Sequence, residues 1–210
     1  MKQIIFALIV LLATTMACKK QKEVSIDKTI GEADSYIPLS VGNYWVYNVS
    51  NVDTAGNSSF IGYDSTYIAA DTLIHGDKFF VFKSGYSSSY VQYLRDSAHY
   101  YIDEKGERFF NADAIDDTLH RSVTKTSTGN ILSVTYRIMK KPLNKISCLQ
   151  GSYFSLDAES VRFLPFLNLS TKSHTYYAPN IGLILWQDYP RTGLVKTYSL
   201  HHYYLVKAIK

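Results

Sequence analysis

The stretch Ile131-Leu132-Ser133-Val134-Thr135-Tyr136-Arg137-Ile138-Met139 decides the fold class of this chain. Leu132, Val134, Tyr136 and Ile138 alternate with Ser133, Thr135 and Arg137. Neighbouring side chains of an extended backbone point to opposite faces, so the period of two predicts a strand with one buried apolar face and one wet face. Arg137 belongs to the wet face in this reading.

The same period recurs outward from it. In Leu194 to Val206, Leu194, Tyr198, Leu200, Tyr204 and Val206 share one parity, with Lys196 and His202 as its polar members. Shorter strands are expected at Tyr44 to Val52, Phe60 to Ala69, Lys78 to Ser84, Ser89 to Arg95, His99 to Asp103, Arg108 to Asn111, Lys145 to Gln150 and Ile181 to Tyr189. All are rich in the tyrosine, phenylalanine and valine that pleated surfaces favour. Glycine stands between such runs in His75-Gly76-Asp77, Glu104-Lys105-Gly106-Glu107, Ser127-Thr128-Gly129-Asn130 and Pro190-Arg191-Thr192-Gly193. Connections this short join antiparallel neighbours, because a parallel pair needs a crossover of about a dozen residues. The expectation is a single antiparallel all-β domain of about nine or ten strands, as a curved sheet, half-barrel or sandwich, with little helix. Asp157 to Leu164, capped by Asp157 and stopped by Pro165, is the best helical candidate.

The first residues carry a different signal. Lys2 is the only charge before Cys18, and Ile4 to Ala17 contains no charge, glycine or proline, ending in Thr15-Met16-Ala17-Cys18. A positive end, an apolar run and a small residue before a cut make a signal peptide. At about 1.5 Å per helical residue the run spans roughly 21 Å, short of the roughly 30 Å of membrane hydrocarbon. Residues 1–17 are therefore expected to be removed, residues 18–35 to form a polar, lysine-bearing tether, and residues 36–210 to form the domain.

Ala17-Cys18 resembles the lipobox of bacterial lipoproteins, although Thr15 replaces the usual leucine. The resemblance implies a diacylglyceryl group on the Cys18 thiol, cleavage before Cys18 and acylation of the new amine, with palmitate among the acyl chains. It also implies anchoring at the outer membrane, on its periplasmic or surface face. Each buried methylene contributes about 0.8 kcal/mol, so two or more chains hold the protein without any further contact. A second resemblance lies in Pro38-Leu39-Ser40-Val41-Gly42-Asn43-Tyr44-Trp45-Val46-Tyr47 and in Ala178-Pro179-Asn180-Ile181-Gly182-Leu183-Ile184. Both segments look like those of uncharacterised Bacteroidota lipoproteins, which implies an exported β-rich domain and carries no catalytic residues. Trp45 and Tyr47 share one face of the first strand, and both segments read first as structural.

The 210 residues carry a net charge of +4, with no basic stripe interleaved with stacking aromatics, so nucleic acid is not expected as a partner. With Cys18 lipidated, Cys148 is the remaining thiol, read as a buried small hydrophobe. No serine elbow, phosphate loop, HExxH helix, CxxC pair or EF-hand loop is present. His201 and His202 look like a metal pair, but neighbours on a regular strand face opposite ways, so no metal or cofactor is expected there. The acidic residues Asp103, Glu104, Glu107, Asp113, Asp116 and Asp117 read as a charged hairpin and loop rather than a calcium site. The 18 tyrosines, with doublets at Tyr100-Tyr101, Tyr176-Tyr177 and Tyr203-Tyr204, put some rings on the surface.

These features support a non-catalytic, lipid-anchored envelope protein that binds a small apolar ligand or a partner. Trp45, Tyr47, Trp186 and Tyr204 are the candidate ligand-binding residues. A glycan-binding or structural surface module built on outward tyrosines or Trp186 is the alternative, and an envelope hydrolase stands third. Cys18→Ala should abolish palmitate labelling and remove the protein from the outer-membrane fraction while the domain stays folded. A variant still labelled and still in that fraction would contradict lipidation at Cys18.

Overall fold

The computed structural model describes residues 36–85, 90–98, 100–141, 145–190 and 193–206. Cys18, the export segment and the tether lie outside the described residues, as do Ser89, His99, Arg191 and Thr192. The described residues form fourteen strands: β1 Tyr44–Val52, β2 Ser58–Ile74, β3 Asp77–Ser84, β4 Val91–Ser97, β5 Tyr100–Asp103, β6 Arg108–Phe110, β7 Thr118–Lys125, β8 Ile131–Lys140, β9 Ile146–Cys148, β10 Gly151–Tyr153, β11 Leu156–Leu164, β12 Leu169–Ala178, β13 Gly182–Tyr189 and β14 Val195–Tyr204. Twelve form one antiparallel sheet in the order β6-β5-β4-β3-β2-β1-β14-β13-β12-β11-β8-β7, and β9 and β10 form a small hairpin outside it. The sheet is an up-and-down meander curled into a nearly closed barrel, its first and last strands paired side by side and β6 and β7 at its two edges. The all-β class is as expected, with more strands than the nine or ten read from periodicity. Among the described residues no helix is long and apolar enough to cross a membrane.

The turns form where glycine or a short polar residue takes a positive φ. Ile74 pairs with Asp77 across His75 (φ 53°) and Gly76 (φ 90°), a two-residue hairpin whose twist matches that of the strands. Asp103 Oδ1 accepts the N–H groups of Lys105 (2.9 Å) and Glu107 (2.7 Å), which shapes the turn between β5 and β6.

One expectation is corrected by β11. Asp157 to Leu164 is strand, paired along its whole length with β12 and over most of it with β8. Ladder hydrogen bonds on both sides outweigh a local helix preference, and the Asp157 carboxylate meets His174 rather than capping a helix. Pro165 opens a single 3-10 turn, Pro165–Leu167, that leads into β12.

Apolar side chains fill one end of the barrel. Tyr101, Phe110, Met139, Ala178, Ile184 and Leu200 are completely buried there, the Tyr101 hydroxyl donates to Ile37 O (2.9 Å), and Phe110 packs edge-on to Tyr177 (5.0 Å). The two segments singled out by resemblance meet at this end. Trp45 Nε1 donates to Ile181 O (2.5 Å), and a Cβ on Gly182 would fall 3.1 Å from that indole nitrogen. Gly182 has φ +102°, which L residues rarely adopt, so it serves both the turn and the indole. Asn43 is fully buried; its side chain donates to Pro38 O (2.8 Å) and accepts from Val206 N (2.6 Å), tying the chain before β1 to the chain after β14. The structural reading of both segments agrees with these contacts.

Gly182→Ala should therefore lower the unfolding free energy by about 2 kcal/mol through strained φ and crowding of Trp45. Gly62, which has open space and an ordinary φ, should tolerate alanine nearly without cost. Urea denaturation of both variants checks this; equal effects would contradict it.

Candidate functional site

Twelve strands make a barrel too wide for its own side chains to fill, since about eight already leave little room inside. Above the filled end lies a half-open cavity of about 340 Å³, at the lower limit of the size usual for small-molecule sites. Trp45 and Tyr47 from β1 and Trp186 from β13 line it, together with Phe82 and Leu94 from β3 and β4. Trp45 stacks on Phe82 (6.4 Å between ring centres), and Trp186 stacks on Tyr198 (4.6 Å). A polar side is contributed by Thr175 and Ser173 of β12 and Ser160 of β11. A second hollow of about 280 Å³ shares Ser160 and Ser173 with the first and is lined further by Thr135, Arg162, Thr171 and Asp188.

The lining also includes three phenols and one guanidinium: Tyr47, Tyr90, Tyr177 and Arg137. The Tyr47 hydroxyl donates to Leu183 O (3.3 Å), and that of Tyr90 donates to Gln92 Oε1 (2.9 Å). Burial pushes the Tyr177 phenol up to about 12, although Arg137 draws it back, and burial raises Tyr47 well above the ordinary phenol value. Both are neutral donors at physiological pH. Burial also lowers Arg137 from its ordinary value, with Tyr177 the first of the groups that oppose the shift, and the guanidinium remains charged.

The placement of Arg137 reverses the expectation for β8. Ala158 pairs with Met139, Ser160 with Arg137 and Arg162 with Thr135, and these residues face the interior. The polar parity of the clearest alternating strand thus lines the hollow, and the parity of Leu132 and Tyr136 faces outward. Leu132 is 45% exposed, whereas Ser133 is buried at 2%. A polar cavity wall and a solvent face look alike in sequence.

Of the four candidate ligand-binding residues, the structure brings Trp45, Tyr47 and Trp186 together in the cavity and leaves Tyr204 outside. Tyr204 stacks on Tyr44 (6.0 Å) on the outer face. A bulge in β14 causes the separation: Val46 pairs with His202 and Tyr47 with Leu200, so His201 is the extra residue and parity changes there. The same bulge overturns the argument that His201 and His202 face opposite ways. Their Nδ1 atoms lie 2.7 Å apart on the outer face, with Tyr63 edge-on to His201 (5.2 Å) and Tyr44 edge-on to His202 (6.0 Å). Among the described residues, no group of three or more histidine, cysteine or acidic side chains is placed to hold a metal ion. Several of the acidic residues are engaged singly, Glu107 beside His120 (3.7 Å) and Asp116 beside Lys140 (3.6 Å). Cys148 is half-buried in β9, its thiol raised chiefly by burial.

One histidine and carboxylate pair has the short contact that acid–base chemistry uses. His174 Nδ1 lies 2.7 Å from Asp157 Oδ2, and this hydrogen bond raises the imidazole above its ordinary value. Its Nε2 faces Glu159 (3.8 Å) rather than a hydroxyl, and the ring packs against Tyr176 and Tyr189 outside the cavity. A triad needs a nucleophile at that second nitrogen.

No protein-family model and no curated protein sequence matches the chain. Two solved structures are similar to it. A candidate exported protein with a YmcC-like fold from Bacteroides fragilis superposes with a TM-score of 0.51 at 13% identity, covering 81% of this chain and 99% of that one. A candidate lipoprotein from Parabacteroides distasonis gives a TM-score of 0.47 at 11% identity, covering 81% of this chain and 99% of that one. The first likeness bears on the fold alone.

Proposed function

We propose that this chain is a non-catalytic, lipid-anchored protein of the cell envelope whose half-open barrel takes up a small, largely apolar ligand. The observation that carries the reading is the cavity itself, walled by Trp45, Phe82, Leu94 and Trp186 and unfilled by side chains. Its described lining contains no carboxylate and no imidazole, the side chains that general acid–base chemistry uses most often. Export and anchoring rest on the segment ending in Cys18, and the Bacteroides fragilis protein of similar fold is itself a candidate for export. The glycan-platform alternative loses Trp186, which lies in the cavity.

Trp45 and Trp186 are the two tryptophans of the chain and both line the cavity, so intrinsic fluorescence reports its occupancy. The mature chain without lipid suffices for the measurement, because the described contacts lie within residues 36–206. Titration with ω-bromodecanol, whose bromine quenches a nearby indole, should quench the emission saturably, and Thr175→Phe, which fills the cavity from β12, should weaken that quenching at least tenfold. Absence of saturable quenching would contradict the reading.

A further inference from the structure

Arg137 is the one charged side chain among the described residues that line the cavity, and it is only partly engaged by the protein. Arg137 Nη1 donates to Arg108 O (3.2 Å), and the guanidinium lies 4.1 Å from the centre of the Phe109 ring. A guanidinium carries five N–H donors, and no carboxylate of the described residues lies within 4 Å of this one. Asp103 and Glu107 act on it from farther away, and each is held elsewhere, Asp103 by the N–H groups of its own turn and Glu107 by His120. Arg137 is half-buried, so its remaining N–H donors are open to the cavity and to water. Nothing in the filled end of the barrel requires an arginine here, since the adjoining interior positions of β8 and β11 carry Met139 and Ala158.

A second donor stands beside it. The Tyr177 hydroxyl has no hydrogen-bond partner among the described residues, and it shares the cavity with Arg137 and feels its charge. Ser160, directly opposite Arg137 in the ladder, and Ser173, opposite Ser160, add hydroxyls on the same wall. The remaining wall is aromatic and aliphatic. A planar fork of N–H groups next to a phenol and two hydroxyls matches the in-plane lone pairs of a carboxylate, which such a fork binds through paired hydrogen bonds.

We propose that Arg137 and Tyr177 form an anion subsite, so that the ligand of this cavity is a carboxylate-headed amphiphile whose apolar tail lies among Trp45, Phe82 and Trp186. This inference rests on the ligand-binding reading of the cavity and adds the class of ligand. A medium-chain acid such as decanoate is the probe of choice for a half-open cavity of about 340 Å³.

The test compares ω-bromodecanoate with ω-bromodecanol, two ligands alike in tail and quencher and different in head, on wild type and on Arg137→Gln. The acid should bind the wild type at least tenfold more tightly than the alcohol. Arg137→Gln should weaken the acid at least tenfold and change the alcohol less than twofold, which also shows that the variant keeps its fold; Arg137→Lys should lie between. If acid and alcohol bind alike, or if Arg137→Gln weakens both equally, the anion subsite is overturned while the apolar cavity stands. If neither quenches the tryptophans, both readings fall together.

Discussion

Arg137 spans the seam where the sheet stops short of closing. β6 and β7 are the two edge strands, adjacent in the chain but not paired as neighbours in the sheet, and an unpaired edge exposes backbone groups that want partners. Reaching from β8, next to the β7 edge, the guanidinium takes the carbonyl of Arg108 on β6 and covers Phe109 with its face. Backbone also binds this side of the barrel, where the chain joining β6 to β7 lies on β8 through Asp116 N–H to Met139 O (2.8 Å) and Met139 N–H to Asp117 O (3.2 Å). The guanidinium that touches β6 across the seam also supplies the charge in the cavity lining.

The filled end provides the rigidity that this arrangement needs. Asn43 joins the segments flanking β1 and β14, Trp45 reaches across to Ile181 O over Gly182, and Tyr101 anchors Ile37. Rings and backbone carbonyls of distant segments are locked together there, so the strands leave the floor in fixed directions. Side chains one step farther along the same strands, Tyr47, Thr66 and Arg137, line the cavity, Tyr47 while still packed in the core. Floor and cavity are two levels of one set of strands, and Trp45 and Phe82 belong to both.

Sequence periodicity finds those strands that have one apolar and one polar face, and it fails where the interior is itself polar. β1 is legible to its last residue, and β8 and β13 to within one, because apolar side chains recur at every second position. β12 escapes notice because its inward residues are Thr171, Ser173 and Thr175, which line the hollows and do not pack in a core. β11 escapes for the same reason, with Ser160 and Arg162 inside and Asp157 and Glu159 outside, a pattern that a cap and a proline make look helical. Trp45, Tyr47 and Trp186 were recognisable as site candidates because large aromatics in strands bury somewhere. Arg137 was not, since a charged residue on an alternating strand reads as solvent-facing. Tyr204 lies outside because the bulge at His201 breaks parity, and no turn residue in Leu200-His201-His202 announces it.

In the proposed complex the incompletely closed barrel holds an apolar tail inside and a carboxylate at the Arg137 side of the seam. A crystal structure of the protein grown with ω-bromodecanoate tests it most directly, because bromine scatters anomalously and marks the end of the tail opposite the carboxylate. The account predicts one anomalous peak inside the barrel, against Trp45, Phe82 or Trp186, with carboxylate density at the Arg137 guanidinium. Bromine bound only on the outer face, with the cavity occupied by water, would contradict it.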